Sequence, residues 1–206
     1  MKVTIFGASS ASGRLLVEKA LAKGYEVNAF VRNESNLKIS NPNLKIICGD
    51  ALDPAQVENA VKGSDAVLST LGPKGKPTVM AARSTKNIVD TMEKYGVRRL
   101  ILVSVAGIAV PEDKRGRNLV SGLIKFLLKD VFTDREQQLA VLESSQVEWV
   151  AVRVPRLTDD PATGSVKAVF GNPSPAWKLT RADLADFMLQ QLSEDRWLRK
   201  APILSN

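Results

Sequence analysis

Histidine is absent from this sequence of 206 residues, and its absence excludes several kinds of site. Zinc centres that need imidazole ligands cannot form, and neither can a hydrolase triad of the Ser-His-Asp type. Acid–base chemistry would have to use lysine, tyrosine, a carboxylate, a hydroxyl group or solvent. We therefore expect no metal in the functional site.

Cysteine and long apolar runs are also scarce. The single cysteine, Cys48, cannot form a disulfide within the chain, which is typical of a reducing compartment, so we expect a cytoplasmic location. No run approaches the roughly 18 apolar residues that a membrane span needs, so we expect no span. The first ten residues, MKVTIFGASS, have too short an apolar run for a signal peptide and predict a strand that enters a turn.

Positive charge is in excess but is not concentrated. The chain has 29 Lys and Arg against 22 Asp and Glu, a formal net charge of +7. The densest basic cluster contains only Lys114, Arg115 and Arg117, so we expect no nucleic-acid partner. A basic surface could equally steer an anionic small molecule, such as a phosphorylated cofactor.

Strand-like and helix-like patterns alternate along the chain, with no repeat or linker that would divide it. Strands are predicted over 2–6, 25–31, 44–48, 66–70, 100–104 and 149–154, with a short run at 165–170. Helices are predicted over 12–23, a short stretch opened by Asp53-Pro54, 79–95, most of 117–145, and 181–192. The pattern predicts one α/β domain over residues 1–206, a mostly parallel sheet with helices on both faces.

A glycine-framed turn, GASSASG at residues 7–13, joins the first predicted strand to the first helix. A phosphate at such a helix start meets unpaired backbone N–H groups and the positive end of the helix dipole. Gly7 permits the tight turn, and Gly13 lets the helix pack closely on the strand. Ser10 replaces the usual middle glycine and adds a side chain near the expected diphosphate. The turn predicts a Rossmann-like dinucleotide site; the alternative is an ordinary strand-to-helix turn.

The end of the second strand indicates which dinucleotide is preferred. An acidic residue there would bind the adenosine ribose hydroxyls and favour NAD, but this chain has Arg32. An arginine suits a 2′-phosphate by its charge and its planar fork of donors, so NADP(H) is the predicted cofactor. The alternative is that Arg32 is an ordinary solvated arginine. After the third and fourth strands, Asp50-Ala51 and Leu71-Gly72 are placed to contact the adenine and the dinucleotide backbone.

The sequence resembles the atypical short-chain dehydrogenase/reductases with NmrA-like NAD(P)-binding domains, and most closely the biliverdin-IXβ reductase/flavin reductase family. The resemblance covers nearly the whole chain. The matching stretches are IFGASSASG, GYEVNAFVRN, GDALDPAQV, GSDAVLSTLG, TKNIVDTMEKYGVRRLILVS and VEWVAVRVPRLTDDPATG.

This resemblance implies that NADPH lies across the strand ends, and it assigns residues to parts of the cofactor. The diphosphate would be held by residues of the first turn and helix, namely Ser9, Ser10, Ala11, Ser12, Gly13 and Arg14. Arg32 would bind the 2′-phosphate, Asp50 and Ala51 would frame the adenine, and Leu71 and Gly72 would follow the ribose and diphosphate. Ser104, Val154 and Pro155 would lie near the nicotinamide. The substrate region would come mainly from residues 104–180, with Ser104 and Arg156 as candidate catalytic residues.

Two departures from the family pattern limit the chemistry. The Tyr-x-x-x-Lys pair is absent, because Tyr25 and Tyr95 are followed four positions later by Ala29 and Arg99. Such a chain is not expected to be an ordinary alcohol dehydrogenase, which needs a positioned acid. Arg135 stands where many relatives have a lysine near the nicotinamide ribose, and it can donate hydrogen bonds but cannot act as a base.

The remaining chemistry favours a reductase of flavins, biliverdin-like tetrapyrroles or quinones. These planar acceptors take hydride at a conjugated atom, and solvent can supply the proton. Arg156, with Arg153 nearby, could bind an acidic group of the substrate; the alternative for Arg156 is a solvated loop residue, and for Ser104 a capped strand end. The apolar segment 119–132 predicts a core helix, a substrate cover or a subunit contact, and Trp177 is a candidate for exposure near the ligand.

A second function stays open, a non-catalytic NADP(H)-sensing or scaffold protein of the NmrA-like type. An isomerase of nucleotide sugars is a weaker alternative, because it normally needs the missing tyrosine. The expected partner is a small planar molecule, and the expected assembly is a monomer or a weak homo-oligomer.

Overall fold

The computed structural model describes residues 1–72, 80–108, 110, 128–170 and 178–206. The strands within these residues are β1 (Lys2–Phe6), β2 (Glu26–Val31), β3 (Leu44–Cys48), β4 (Ala66–Ser69), β5 (Arg99–Val105), β6 (Glu148–Val154), β7 (Arg156–Thr158), β8 (Lys167–Val169), β9 (Lys178–Thr180) and β10 (Ile203–Ser205). The helices are α1 (Ala11–Ala22), α2 (Pro54–Val61), α3 (Ala81–Tyr95), α4 (Lys129–Ser144) and α5 (Arg181–Gln190).

The main sheet has the strand order β3-β2-β1-β4-β5-β6-β10-β8. Its strands are parallel, except that β8 runs antiparallel to β10. The chain leaves β3 at one edge and re-enters beside β1 as β4, so the strand order reverses between β1 and β4. This reversal is the place where open α/β sheets bind ligands, and it confirms the predicted doubly wound Rossmann-like fold.

Side chains of the central strands are buried on both faces of the sheet, as the continuous apolar runs predict. Val3 and Ile5 of β1 pack in a cluster that includes residues of α1 and α5. Phe6 packs on the opposite face, in a cluster with residues of α2, α3 and α4. Gly96 ends α3 in the left-handed conformation, with φ 69°. The helices therefore cover both faces and leave the carboxyl ends of the strands as the open edge.

Three short strands were not predicted from the sequence. Some of the predicted features fall on residues that the structure does not describe. β7, β9 and β10 have three residues each, which is too short for a period of two to be recognised. Arg156 does lie beyond β6, but it begins β7, which pairs with β9. Residues 119–127 of the predicted apolar helix, the three-residue basic cluster and Trp177 fall outside the described residues. Among the described residues, no helix is long and apolar enough to cross a membrane.

A buried carboxylate, Asp183 in the first turn of α5, joins three segments of the second half. Asp183 is 1% exposed. Its oxygens accept hydrogen bonds from Thr163 N (2.8 Å), Gly164 N (3.0 Å), Thr180 Oγ1 (2.8 Å) and the side-chain amide of Asn206. Burial by itself raises the pKa of Asp183, but the hydrogen bonds from Thr163, Thr180 and Gly164 outweigh it and lower the pKa below the usual aspartate value.

Replacing Asp183 by asparagine should destabilise the fold by about 2 kcal/mol at neutral pH, because a charged acceptor of several hydrogen bonds is lost. A lowered folded-state pKa stabilises the fold above the unfolded-state pKa of about 3.9 and ceases to do so as pH falls through the folded-state value. The difference between wild type and Asp183→Asn should therefore shrink below about pH 4 in urea titrations. Asp186→Asn is the control on the same helix, since Asp186 is exposed and its ion-pair partner within the described chain is Lys19. Equal losses in both variants would contradict the role of Asp183.

Candidate cofactor-binding site

The turn after β1 is held by the end of the neighbouring strand β4. Gly7 has φ +74°, a conformation that other L-residues rarely adopt. A Cβ at Gly7 would lie 3.0 Å from Leu71 N and from Thr70 Oγ1, so the turn has no room for a side chain. Thr70 Oγ1 lies 3.1 Å from Gly7 O, within hydrogen-bond distance. Thr70 was not anticipated from the sequence, because its partners come from a segment more than 60 residues away.

Gly13 allows α1 to approach this turn closely. A Cβ at Gly13 would lie 2.2 Å from Gly7 O and 2.9 Å from Ala8 Cα. The first distance is far below, and the second slightly below, the 3.0 Å that real Cβ atoms essentially never undercut, and both involve backbone atoms that cannot rotate away. The position therefore requires glycine, as the sequence predicts.

Ser10 caps α1, and its side chain folds back onto the helix. Its Oγ accepts a hydrogen bond from Gly13 N at 3.0 Å and lies 3.2 Å from Thr70 Oγ1. The sequence placed this side chain near the diphosphate; the geometry gives it a capping role as well. Among the described residues, none accepts a hydrogen bond from the amides of Ala11 and Ser12. These two donors at the start of α1 fit an anionic group such as a dinucleotide diphosphate.

Two arginines lie at the adenosine end of the predicted site. Arg32 follows β2, is exposed, and makes no hydrogen bond or ion pair with the described part of the chain. Arg14, in the first turns of α1, donates from Nη2 to Asn36 O at 2.9 Å. Asn36 ends the short 3₁₀ turn that follows Arg32. The guanidinium of Arg14 therefore points to the segment after β2, although the resemblance grouped Arg14 with the diphosphate.

Asp50 and Ala51 shape the loop after β3. Asp50 Oδ1 accepts a hydrogen bond from Leu52 N at 2.9 Å, so one oxygen of this carboxylate is used within its own turn. Ala51 is buried, and its carbonyl accepts from Asn87 Nδ2 at 3.0 Å. Asn87 of α3 thereby fixes the loop that is expected to frame the adenine, a contact that sequence spacing could not indicate.

Arg135 ties together the carboxyl ends of β4 and β5. This side chain on α4 is 4% exposed. Its Nη1 donates to Val103 O at 3.0 Å, and its Nη2 donates to Leu71 O at 2.9 Å. Burial lowers the pKa of Arg135 from its ordinary value. A Cβ at Gly72 would lie 3.6 Å from Arg135 Nη2, so Arg135 borders the segment expected to follow the cofactor.

The start of α3 is closed by a carboxylate from α4. Asp134 is 4% exposed. Its oxygens accept hydrogen bonds from the amides of Met80 (3.0 Å), Ala81 (2.7 Å) and Ala82 (3.0 Å). These donors are therefore used within the protein, in contrast to the amides at the start of α1.

The candidate substrate side lies at the ends of β5 and β6. Ser104 is 2% exposed, and its Oγ has no hydrogen-bond partner among the described residues. Val154 is buried, and its carbonyl accepts from Ala106 N at 2.9 Å. Pro155, half-buried, separates β6 from β7, whose first residue Arg156 is exposed. Arg153, which pairs in register with Ser104, is fully buried.

Arg153 is therefore shielded from solvent, and its suggested part in binding an acidic group of the substrate stays a prediction. Its Nε donates to Ala201 O at 2.7 Å, and its Nη1 donates to Ile108 O at 3.3 Å. The Arg153 side chain thus donates hydrogen bonds to backbone carbonyl groups on the face of the sheet that α4 covers. Arg156 alone of the two arginines presents its side chain to solvent.

Both tyrosines lie away from the strand ends. Tyr95 is the last residue of α3, and its hydroxyl donates to Glu58 Oε1. Tyr25 directly precedes β2. Both therefore lie at the edge where the strands begin, opposite the candidate site. Neither can serve as an acid near a ligand at the carboxyl ends.

A family model described as NAD(P)H-binding matches residues 7–195 of the chain. Among curated proteins, the human decarboxylating sterol-4-alpha-carboxylate 3-dehydrogenase is 27% identical over 199 residues, covering 83% of this chain and 52% of that protein. An uncharacterized chloroplastic protein of Arabidopsis thaliana is 29% identical over 178 residues, covering 80% of this chain and 62% of that protein. The chain thus spans less than two thirds of the length of these relatives.

Solved structures share the fold over the whole chain. The oxidoreductase ylbE of Lactococcus lactis has a TM-score of 0.84 at 22% identity, with 100% of this chain and 91% of that one covered. ChuY of Escherichia coli O157:H7, an anaerobilin reductase, has a TM-score of 0.85 at 22% identity, with coverages of 100% and 97%. A short-chain dehydrogenase/reductase of Veillonella parvula in complex with NADP has a TM-score of 0.83 at 17% identity, with coverages of 100% and 94%.

Gly13→Ala should destabilise the protein by about 2 kcal/mol, although glycine-to-alanine changes inside helices usually stabilise. The added methyl group would force α1 away from the turn and displace the amides of Ala11 and Ser12. Thermal denaturation and calorimetric titration with NADPH should show lower stability and at least tenfold weaker binding. Gly72→Ala is the stability control, because a Cβ at Gly72 would meet the described residues only at an ordinary contact distance of 3.6 Å. If the Gly13→Ala protein were as stable as wild type, the close approach of α1 to the turn after β1 would be contradicted.

Proposed function

We propose that this chain, which belongs to the NAD(P)H-binding family, is an NADPH-dependent reductase that delivers hydride to a planar conjugated acceptor. The acceptor class is a flavin, a biliverdin-like tetrapyrrole or a quinone. One observation carries the proposal: among the described residues, the buried hydroxyl of Ser104 and the first amides of α1 lack hydrogen-bond partners, and both lie at the carboxyl ends of the strands, away from the two tyrosines.

The described residues fit a phosphorylated dinucleotide laid across the strand ends. The amides of Ala11 and Ser12 would hold the diphosphate, and the backbone of Leu71 and Gly72 would pass beside it. Arg32 would bind the 2′-phosphate, because it is exposed and unpaired within the described chain. Arg14 would contribute a second positive charge at this end. Asp50 and Ala51 would border the adenine.

The nicotinamide half would lie on the other side of β1, over the ends of β4, β5 and β6. Ser104, Val154 and Pro155 would line this region. When bound, the reduced nicotinamide supplies hydride, and the protein supplies orientation. Ser104 Oγ would donate or accept one hydrogen bond there, and this bond would satisfy a buried hydroxyl that has no partner among the described residues. A proton for the reduced acceptor would come from solvent, since the chain has no histidine and both tyrosines lie at the opposite end of the strands.

Arg156 would set the preference among acceptors. It is exposed at the start of β7, directly after Pro155, and forms no hydrogen bond with the described residues. The exposed guanidinium, whose charge also acts on the nearby carboxylate of Asp160, favours acceptors that carry a carboxylate or phosphate. ChuY, which shares the fold, is named as an anaerobilin reductase, and this name supports a bilin-type acceptor for the present chain.

NADPH oxidation should be measured with FMN, biliverdin and a quinone as separate acceptors. Turnover is expected with at least one acidic acceptor, and Arg156→Gln should raise its KM about tenfold because a charge-assisted hydrogen bond is lost. Arg98→Gln is the matched control. Arg98 directly precedes β5, at the end of the sheet where the strands begin, and its side chain is 78% exposed. Tight NADPH binding without turnover of any acceptor would instead support a non-catalytic NADP(H)-sensing protein.

Arg32→Ala should weaken NADPH binding about 30-fold while changing NADH binding less than threefold. Only NADPH carries the 2′-phosphate, and a charged hydrogen-bonding pair contributes about 2 kcal/mol. Isothermal titration calorimetry with both reduced cofactors measures the two affinities in the same protein, so NADH is the internal control. Equal losses for both cofactors would remove the basis for the NADPH preference.

A further inference from the structure

We infer that Arg135 makes the site discriminate between the two redox forms of its cofactor, binding NADPH more tightly than NADP⁺. This inference rests on the proposed function and concerns a residue that touches backbone carbonyls at the strand ends. It assigns Arg135 a positioning and electrostatic role in place of direct participation in proton transfer.

All described hydrogen-bond acceptors of Arg135 are neutral. The guanidinium donates to Val103 O at 3.0 Å, to Leu71 O at 2.9 Å and to Gln138 Oε1 at 2.9 Å. Arg135 is 4% exposed, so water screens its charge poorly. An arginine keeps its proton in such a place, and the site therefore contains a fixed positive charge.

The neighbouring carboxylate of Asp134 attracts this charge electrostatically but accepts no hydrogen bond from the guanidinium. Both oxygens of Asp134 accept hydrogen bonds from the first amides of α3, at 2.7 to 3.0 Å. Its negative charge is thus directed toward the positive end of a helix dipole. No ion pair between Arg135 and a carboxylate occurs within the described part of the chain.

The position of Arg135 follows from the strand order. The adenosine end lies at β2, where Arg32 is exposed, and the diphosphate lies at β1. The remaining half of the dinucleotide must extend in the other direction, over β4 and β5. Arg135 binds the carbonyls of Leu71 and Val103 at the ends of these two strands, so its charge lies beneath the nicotinamide half.

The two redox forms differ in the charge of the nicotinamide ring and otherwise carry the same groups. The ring is neutral in NADPH and positive in NADP⁺, and a fixed positive charge in a weakly screened place repels the oxidised ring. The ratio of the two dissociation constants therefore isolates this interaction. A preference for the reduced form would release the oxidised cofactor after each turnover and favour the reductive direction.

Gln138→Glu tests the inference with almost no change of shape. The variant places a carboxylate beside the guanidinium of Arg135, and its second oxygen can accept a hydrogen bond from Thr85, whose hydroxyl now accepts from Gln138 Nε2 at 2.9 Å. The ratio Kd(NADP⁺)/Kd(NADPH), measured by calorimetry, should fall about tenfold, the order expected for unit charges roughly 10 Å apart at an effective dielectric constant near 20.

Gln137→Glu is the matched control, because it makes the same chemical change at an exposed position of the same helix. It should leave the ratio within about twofold of wild type. An unchanged ratio in Gln138→Glu, or an equal fall in both variants, overturns the inference. If Gln138→Glu does not fold, the two dissociation constants of the wild-type protein test the inference. Tighter binding of NADPH than of NADP⁺ supports it, and equal binding of the two forms overturns it. Failure to bind either form would instead overturn the proposed function.

Discussion

The approach of α1 to the end of β1 is the contact on which the candidate site depends. Gly13 brings the helix so near that any side chain at this position would meet Gly7 O, and Gly7 itself adopts a conformation suited to glycine. Thr70, from the end of β4, holds the same turn from the other side. Because these contacts join two neighbouring parallel strands and a helix, the free amides of α1 point to the place where the strand order reverses.

Buried polar groups decide which of the remaining strand and helix ends stay open to a ligand. Asp134 uses the first amides of α3, and Arg135 uses carbonyls at the ends of β4 and β5. Buried polar groups are costly without partners, so these ends are closed by the protein itself. The hydroxyl of Ser104 and the amides of Ala11 and Ser12 lack such partners among the described residues, which distinguishes them from their surroundings.

Much of the fold and part of the site could be predicted because the relevant signals are local. Apolar runs bounded by turn residues gave the strands of the parallel sheet, and Gly96 marked the end of α3 through its own backbone conformation. The spacing of Gly7 and Gly13 indicated a tight strand-to-helix turn, and the structure confirms its steric basis; phosphate binding by this turn stays a prediction. The short strands β7, β9 and β10 were missed, because three residues carry no period and their pairing partners are distant in sequence.

The sequence by itself determined the order of strands and helices, the glycine turn, the basic residue after the second strand and the lack of histidine and of a tyrosine–lysine pair. These properties depend on residue types and on neighbours a few positions apart. Only the tertiary structure decided the roles of side chains whose partners are far along the chain. It buried Arg153 against Ala201, directed Arg14 toward Asn36 and placed Arg135 between Leu71 and Val103. The physical reason is that hydrogen-bond partners and screening by water depend on which segments meet in space, and residue spacing does not contain that information.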